Sequence, residues 1–256
     1  MRLSHAGATD VGRKRTHNED AFLLLPEEQL WCVADGMGGH ASGEVAARIA
    51  VEEMAEFFRL TGRDEEATWP YKLDPERGYD ENRLLTGVKL ANLRIHERAQ
   101  TDARLHGMGT TLVAVSFAKD ARAMLIGHVG DSRAYLLRDG ALRQLTEDHS
   151  LLNDYRKTRA LTPAEVEAFP HKNVIVRALG MRNTVEVDLV REEVRPGDLL
   201  LLCSDGLSGM VPDPLLAEIL RAGRGDLRGA AEALVEAANA GGGVDNVTCV
   251  LVAAQG

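Results

Sequence analysis

Seven short apolar runs, with glycine and aspartate recurring at their borders, limit this chain more than any other feature. They are AFLLL from Ala21, LWCVA from Leu30, TTLVAVSF from Thr110, AMLIGHV from Ala123, RAYLL from Arg133, DLLLLC from Asp198 and VTCVLVAA from Val247. Runs this short, flanked by turn residues and rich in branched side chains, are strands rather than helices. The RDG triplet at Arg138 to Gly140 stands between RAYLL and ALRQL and predicts a tight hairpin.

Helical spacing appears only between these runs. Ala46, Ile49, Ala50, Met54 and Phe57 recur on one face after Ser42, a residue suited to cap a helix N-terminus. Leu84, Val88, Ala91, Ile95 and Ala99 repeat the pattern from Asn82 onward. Two shorter helices are expected over DPLLAEILRAG from Asp213 and LRGAAEALVEAANA from Leu227, the second closed by Gly241, Gly242 and Gly243. Strands in runs separated by blocks of helices predict an α+β fold, with helices covering antiparallel sheets. Residues 61 to 81 read as a surface loop joining two helices. The polar stretch containing TPAEVEAF, about 146 to 175, reads as a flap of loop and short helix.

A length of 256 residues, with 45% hydrophobic and 27% charged side chains, suits one globular domain over 1–256. No stretch approaches the 18 or so consecutive apolar residues of a membrane span, and MRLSHAGATD has no signal-peptide run. Cys32, Cys203 and Cys249 each sit inside an apolar run without CxxC spacing, which fits buried thiols in a reducing, cytoplasmic setting. The net charge of −9 disfavours nucleic acid and anionic membrane as partners.

Aspartates stand where the apolar runs begin or end. Asp35 closes LWCVADG, Asp131 follows LIGHVG, Asp205 follows LLLLCS and Asp245 precedes NVTCVLV. Each alone is ordinary turn chemistry. If neighbouring antiparallel strands bring these ends to one rim, the carboxylates repel, and a hard divalent cation relieves the repulsion. A donor set of oxygens, without clustered cysteine or histidine, selects Mg2+ or Mn2+ over Zn2+. Several aspartates suffice for a pair of ions, the arrangement that serves in-line displacement at phosphorus. In GRKRTHNED, Arg15 lies five residues before Asp20, with Glu19 alongside. A guanidinium there suits bidentate phosphate binding, and a solvated charged loop fits the same stretch. His5 and His128 lie in strand-like segments and read as core or rim histidines. Ser132 and Ser204 adjoin aspartates but have no histidine and acid in triad-like positions, which argues against a serine nucleophile.

GRKRTHNED, VADGMGGHASGE, GMGTTLVAV, GHVGDSRAYLLRDG, LLCSDGLS and GGGVDNVTCV, in this order, resemble the motif series of the type 2C metal-dependent (PPM) protein phosphatases, especially compact bacterial ones. The match runs from about Gly7 to Val252. The resemblance implies a β-sandwich of two antiparallel sheets flanked by pairs of helices, with metals at one rim. It implies hydrolysis of phosphoserine and phosphothreonine in proteins by a metal-activated bridging water. By position, Asp35 would bridge two catalytic Mn2+ or Mg2+ ions, Gly36 would offer its carbonyl, and Asp205 and Asp245 would hold one of them. Asp131 would help bind a third, weaker ion. Arg15 would bind phosphate, while Glu19 and Asp20 would support the ligands or their waters. The family also implies phosphorylated proteins as partners, among them a Ser/Thr protein kinase and its substrates, and a monomeric enzyme.

Departures from the pattern matter too. Met37 stands where many eukaryotic members carry a histidine proposed as general acid, so leaving-group protonation has no assigned side chain. His40 is close enough in sequence to act as a supporting donor, or merely to begin a helix. Asn173 falls where bacterial relatives have a small hydroxyl residue near the third ion. A catalytically silent regulatory module would be expected to lack one or more of the aspartates, and a small-molecule phosphohydrolase would keep them all.

Overall fold

The computed structural model describes residues 1–38, 42–63, 68–118, 122–162, 165–166, 169–170 and 174–255. Among the described residues, eleven strands form two antiparallel sheets. One has the order β1 (Arg2–Asp10), β11 (Val247–Gln255), β10 (Leu199–Cys203), β7 (Arg133–Arg138), β8 (Ala141–Gln144). The other runs β2 (Asp20–Leu25), β3 (Leu30–Met37), β5 (Leu112–Phe117), β6 (Ala123–Val129), β9 (Asp188–Glu193), and β4 (Gly109–Thr110) pairs with the end of β3.

Why the runs are continuously apolar rather than alternating follows from what covers them. Along β3, Trp31 and Val33 face the other sheet, where they meet Leu200, Leu202, Val250 and Val252. Leu30, Cys32 and Ala34 point the opposite way, onto helices α1 (Ser42–Arg63) and α2 (Tyr79–Thr101). In β10, Leu200 and Leu202 face inward, while Leu199, Leu201 and Cys203 pack under α4 (Asp213–Ala222) and α5 (Leu227–Ala240). Period-two alternation therefore serves two separate cores, and each position along such a strand is apolar. The result is the predicted layering of helix pair, sheet, sheet and helix pair.

Cys32, Cys203 and Cys249 are free and buried. The RDG hairpin forms between β7 and β8, with positive φ at both Asp139 (51°) and Gly140 (81°), as a type I′ turn requires. The second helix begins three residues earlier than its apolar periodicity, at Tyr79. Gly78 is its cap, and the Glu81 carboxylate accepts the Gly78 N–H at 2.9 Å. Within the 61–81 connection, Trp69 packs edge-on against Phe57 and Tyr79. The flap contains α3 (Leu151–Thr158), capped by Ser150. The polar strand β9, DLVREE, was not among the predicted strands; it lies at a sheet edge, where one flank needs no apolar cover and charge blocks further pairing. Among the described residues, no helix is long and apolar enough to cross a membrane.

Candidate metal centre

The rim where β3, β10 and β11 meet the loop after β6 collects the predicted acids. Antiparallel register sets Asp20 directly opposite Asp35 on β2 and β3. Cys203 pairs with Cys249, so Asp205, just past β10, and Asp245, just before β11, leave the same end of the sheet. Asp131 follows β6 after Gly130 and is 9% exposed. Burial first, and then repulsion from Asp20, Asp205, Asp131 and Asp245, holds the Asp35 carboxyl well above the usual range. Burial, followed by neighbouring carboxylates, pushes Asp131 up to about 7. Asp20 is likewise pushed up to about 7, by burial first, against the opposing hydrogen bonds of Thr248 and Ser204. Asp205 is raised by burial and by Asp245.

Backbone contacts fix this arrangement. The Asp35 carbonyl accepts from Thr111 N–H at 2.8 Å and from Thr110 Oγ1 at 2.9 Å. Gly36 is needed because its Cα lies so close to other backbone that a Cβ would stand 2.2 Å from the Gly43 carbonyl oxygen and 2.5 Å from that of Glu19. Asp131, Asp205 and Asp245 line one cavity of about 360 Å3 together with Arg133 and Asp148. Arg133 grips Asp148 with two hydrogen bonds, of 2.9 and 2.6 Å.

The family model for Protein phosphatase 2C matches residues 9–237. The chain belongs to the protein phosphatase 2C family. It is 40% identical over 251 residues to the serine/threonine phosphatase stp of Listeria monocytogenes, covering 95% of this chain and 93% of that protein. The crystal structure of the Mycobacterium tuberculosis serine/threonine phosphatase PstP/Ppp superposes with a TM-score of 0.85, at 37% identity and 99% coverage of both chains. A structure of the PstP catalytic domain in complex with two manganese ions gives 0.82 at 36% identity, again covering 99% of each chain.

Whether the acids of this family member suit such ions can be tested on the chain itself. Asp20 Oδ1 and Asp131 Oδ1 are buried oxygens with no hydrogen-bond partner in the protein. An ionised carboxylate is not left this way without compensation. The donors are all oxygens, which fits hard divalent cations. Asp35, Asp131, Asp205 and Asp245, with the Gly36 carbonyl, could therefore hold them.

Arg15 reaches the same rim, where its guanidinium donates to Asp245 Oδ2 at 2.7 Å while remaining half exposed. Glu19 sits behind Gly43 and is raised by burial, with Arg15 acting against the shift. Asp20 accepts from Ser204 Oγ at 2.8 Å. Of the two remaining candidates, His40 and Asn173 both lie outside the described residues.

Sequence reasoning passed over Asn246. Its Oδ1 accepts the Glu19 N–H at 2.8 Å, and its Nδ2 donates to the carbonyls of Val11 and His17, both at 2.9 Å. One buried side chain thus ties the Arg15 loop to the start of β11. The only sequence signal was its place directly after Asp245. Asn246→Ala should leave several buried backbone groups unpaired, costing about 1–3 kcal/mol. Denaturant melts should register this loss. Phosphate affinity should fall with it as Arg15 loses its anchor.

Proposed function

We propose that this chain hydrolyses phosphoserine and phosphothreonine esters in proteins at a Mn2+ or Mg2+ centre, with 1–256 acting as one catalytic domain. The observation that carries the reading is the convergence of Asp20, Asp35, Asp131, Asp205 and Asp245 on one rim, with a guanidinium at its mouth. Asp35, Asp205 and Asp245 with the Gly36 carbonyl would hold the two principal ions, and Asp131 would contribute to a third. When bound, such ions supply a strong nucleophile from water near neutral pH and neutralise charge on the phosphoryl oxygens.

The chain's own residues do the rest. Arg15 binds the phosphoryl oxygens and orients the ester, using the flexibility of its half-exposed position beside Asp245. Thr110 and Thr111 hold the Asp35 backbone in place, so its carboxylate does not reorganise as charge develops. Asp20, braced by Ser204, and Glu19 sit behind the ligands and tune their charge. Met37 has no proton to give, so protonation of the leaving serine or threonine oxygen falls to no side chain at that position.

The reading extends to signalling in the cytoplasm, to a Ser/Thr protein kinase and its substrates as partners, and to a monomer. The free, buried cysteines fit the cytoplasmic setting, and the partners and the monomer follow from the family.

Purified protein should hydrolyse a phosphothreonine peptide only with Mn2+ or Mg2+, faster than nucleotides or sugar phosphates. Arg15→Ala should lower kcat/KM roughly 10- to 100-fold, the equivalent of one charge-assisted hydrogen bond. Turnover in excess chelator, or a preference for small phosphate esters, would count against the proposal.

A further inference from the structure

Among the described residues, the one set of three His, Cys, Asp or Glu ligand atoms within 4.8 Å of one another includes none of the rim acids and consists of His128, His149 and Asp188. His128 on β6 is 1% exposed, and its strand partner on β9 is Asp188. The His149 ring stacks on that of His128, with centroids 4.7 Å apart. Hydrogen bonds fix both tautomers. His128 Nε2 donates to the Glu147 carbonyl at 2.9 Å, which leaves Nδ1 buried, unprotonated and without a partner. His149 Nδ1 accepts the Gly130 N–H at 3.0 Å, so its proton sits on Nε2, 3.3 Å from Asp188 Oδ2. Burial lowers the pKa of both histidines, so each is neutral at pH 7, the form in which imidazole ligates.

A cation already stands at this cluster. Arg177 Nη1 lies 2.5 Å from Asp188 Oδ1 and 3.1 Å from His149 Nε2, so two N–H groups face the same carboxylate. Its other terminal nitrogen, Nη2, lies 3.7 Å from the exposed Glu186. The guanidinium therefore has an outward partner within reach. We propose that His128, His149 and Asp188 form a second cation site, which takes a transition-metal ion of the Zn2+ class when Arg177 swings out toward Glu186. Two imidazoles and a carboxylate prefer Zn2+ or Co2+ over the hard ions suited to the oxygen-only rim.

Coordination through His149 Nε2 moves the remaining ring proton to Nδ1, where it confronts the Gly130 N–H. Ion binding and the Gly130 hydrogen bond are therefore alternatives. Because Gly130 directly precedes Asp131, occupancy of this site is felt at the acidic rim.

The test uses full-length Asp35→Asn, Asp205→Asn protein, in which the rim is disabled as a competing site. Zn2+ should bind with one equivalent, measured against a chromophoric chelator, and zinc X-ray absorption should show imidazole ligands. Added Asp188→Asn should weaken binding at least about tenfold, whereas Arg177→Ala should tighten it. The Gly130 amide should exchange faster in the zinc-loaded form. Zinc that fails to bind, binds without imidazole, or binds equally well to the Asp188→Asn and Arg177→Ala forms would overturn the proposal. Both of these side chains are partly exposed, so the result does not depend on whether a His128 variant folds.

Discussion

Asp35→Asn is expected to lose turnover of a phosphothreonine peptide by roughly 10^3-fold or more, while the metal-free variant melts several degrees above metal-free wild type. The loss follows from the several kcal/mol that bound cations contribute to phosphoryl transfer, at 1.36 kcal/mol per tenfold. The gain in stability has a separate origin. Burial disfavours the ionised form of Asp35 most, and Asp20, Asp205, Asp131 and Asp245 repel it as well, so that form destabilises the fold. A neutral amide of the same shape removes both penalties. Scanning calorimetry in chelator, beside a phosphate-release assay in Mn2+, checks both halves. A variant that is inactive and less stable would mean that Asp35 is held by favourable contacts rather than against repulsion.

Metal-free protein should also lose stability as pH rises, and excess Mn2+ should abolish that loss. Burial and neighbouring carboxylates raise Asp20 and Asp131 from the ordinary 3.8 to about 7 in the folded state, and Asp35 and Asp205 are raised as well. The folded state thus holds protons that the unfolded chain releases. The stability this confers is complete below about pH 4 and is lost as pH climbs through about 7. Its size is a few kcal/mol. His128 and His149, whose folded pKa values are lowered, act in the opposite sense and gain stability as pH rises toward 6.5. Asp20, Asp35, Asp131, Asp205 and Asp245 are not among the groups that shift either histidine, so the histidine contribution largely cancels between the two conditions. The difference between melting profiles in chelator and in Mn2+, from pH 5.5 to 8.5, therefore isolates the carboxylates. It should widen steadily with pH, and a constant difference would show that the acids do not titrate in this range.

How far the sequence carried can be judged at particular residues. Trp31 to Ala34 and Leu199 to Cys203 were readable as strands because apolar runs so short, bounded by turn residues, suit a strand buried on both faces rather than a helix. The RDG hairpin was readable because few residues other than those tolerate two successive positive φ values. Asp35, Asp131, Asp205 and Asp245 announced themselves by position at strand ends, although their convergence needed the register that sets Asp20 against Asp35. By contrast, β9 presents charges because it is an edge, so its sequence resembles a loop. Asn246 acts through hydrogen bonds to Val11, His17 and Glu19, partners more than 220 residues away. The His128, His149 and Asp188 cluster depends on strand pairing and ring stacking across three elements. No local pattern encodes such contacts, and His128 read from sequence alone was simply a core histidine.

The central claim is that these acidic side chains tolerate one another because divalent cations lie among them. Anomalous diffraction at the manganese edge, from crystals grown with Mn2+, tests it most directly. Two strong peaks bounded by Asp35, the Gly36 carbonyl, Asp205 and Asp245 are predicted, with a weaker one beside Asp131. A rim without anomalous density at saturating Mn2+ would contradict the account.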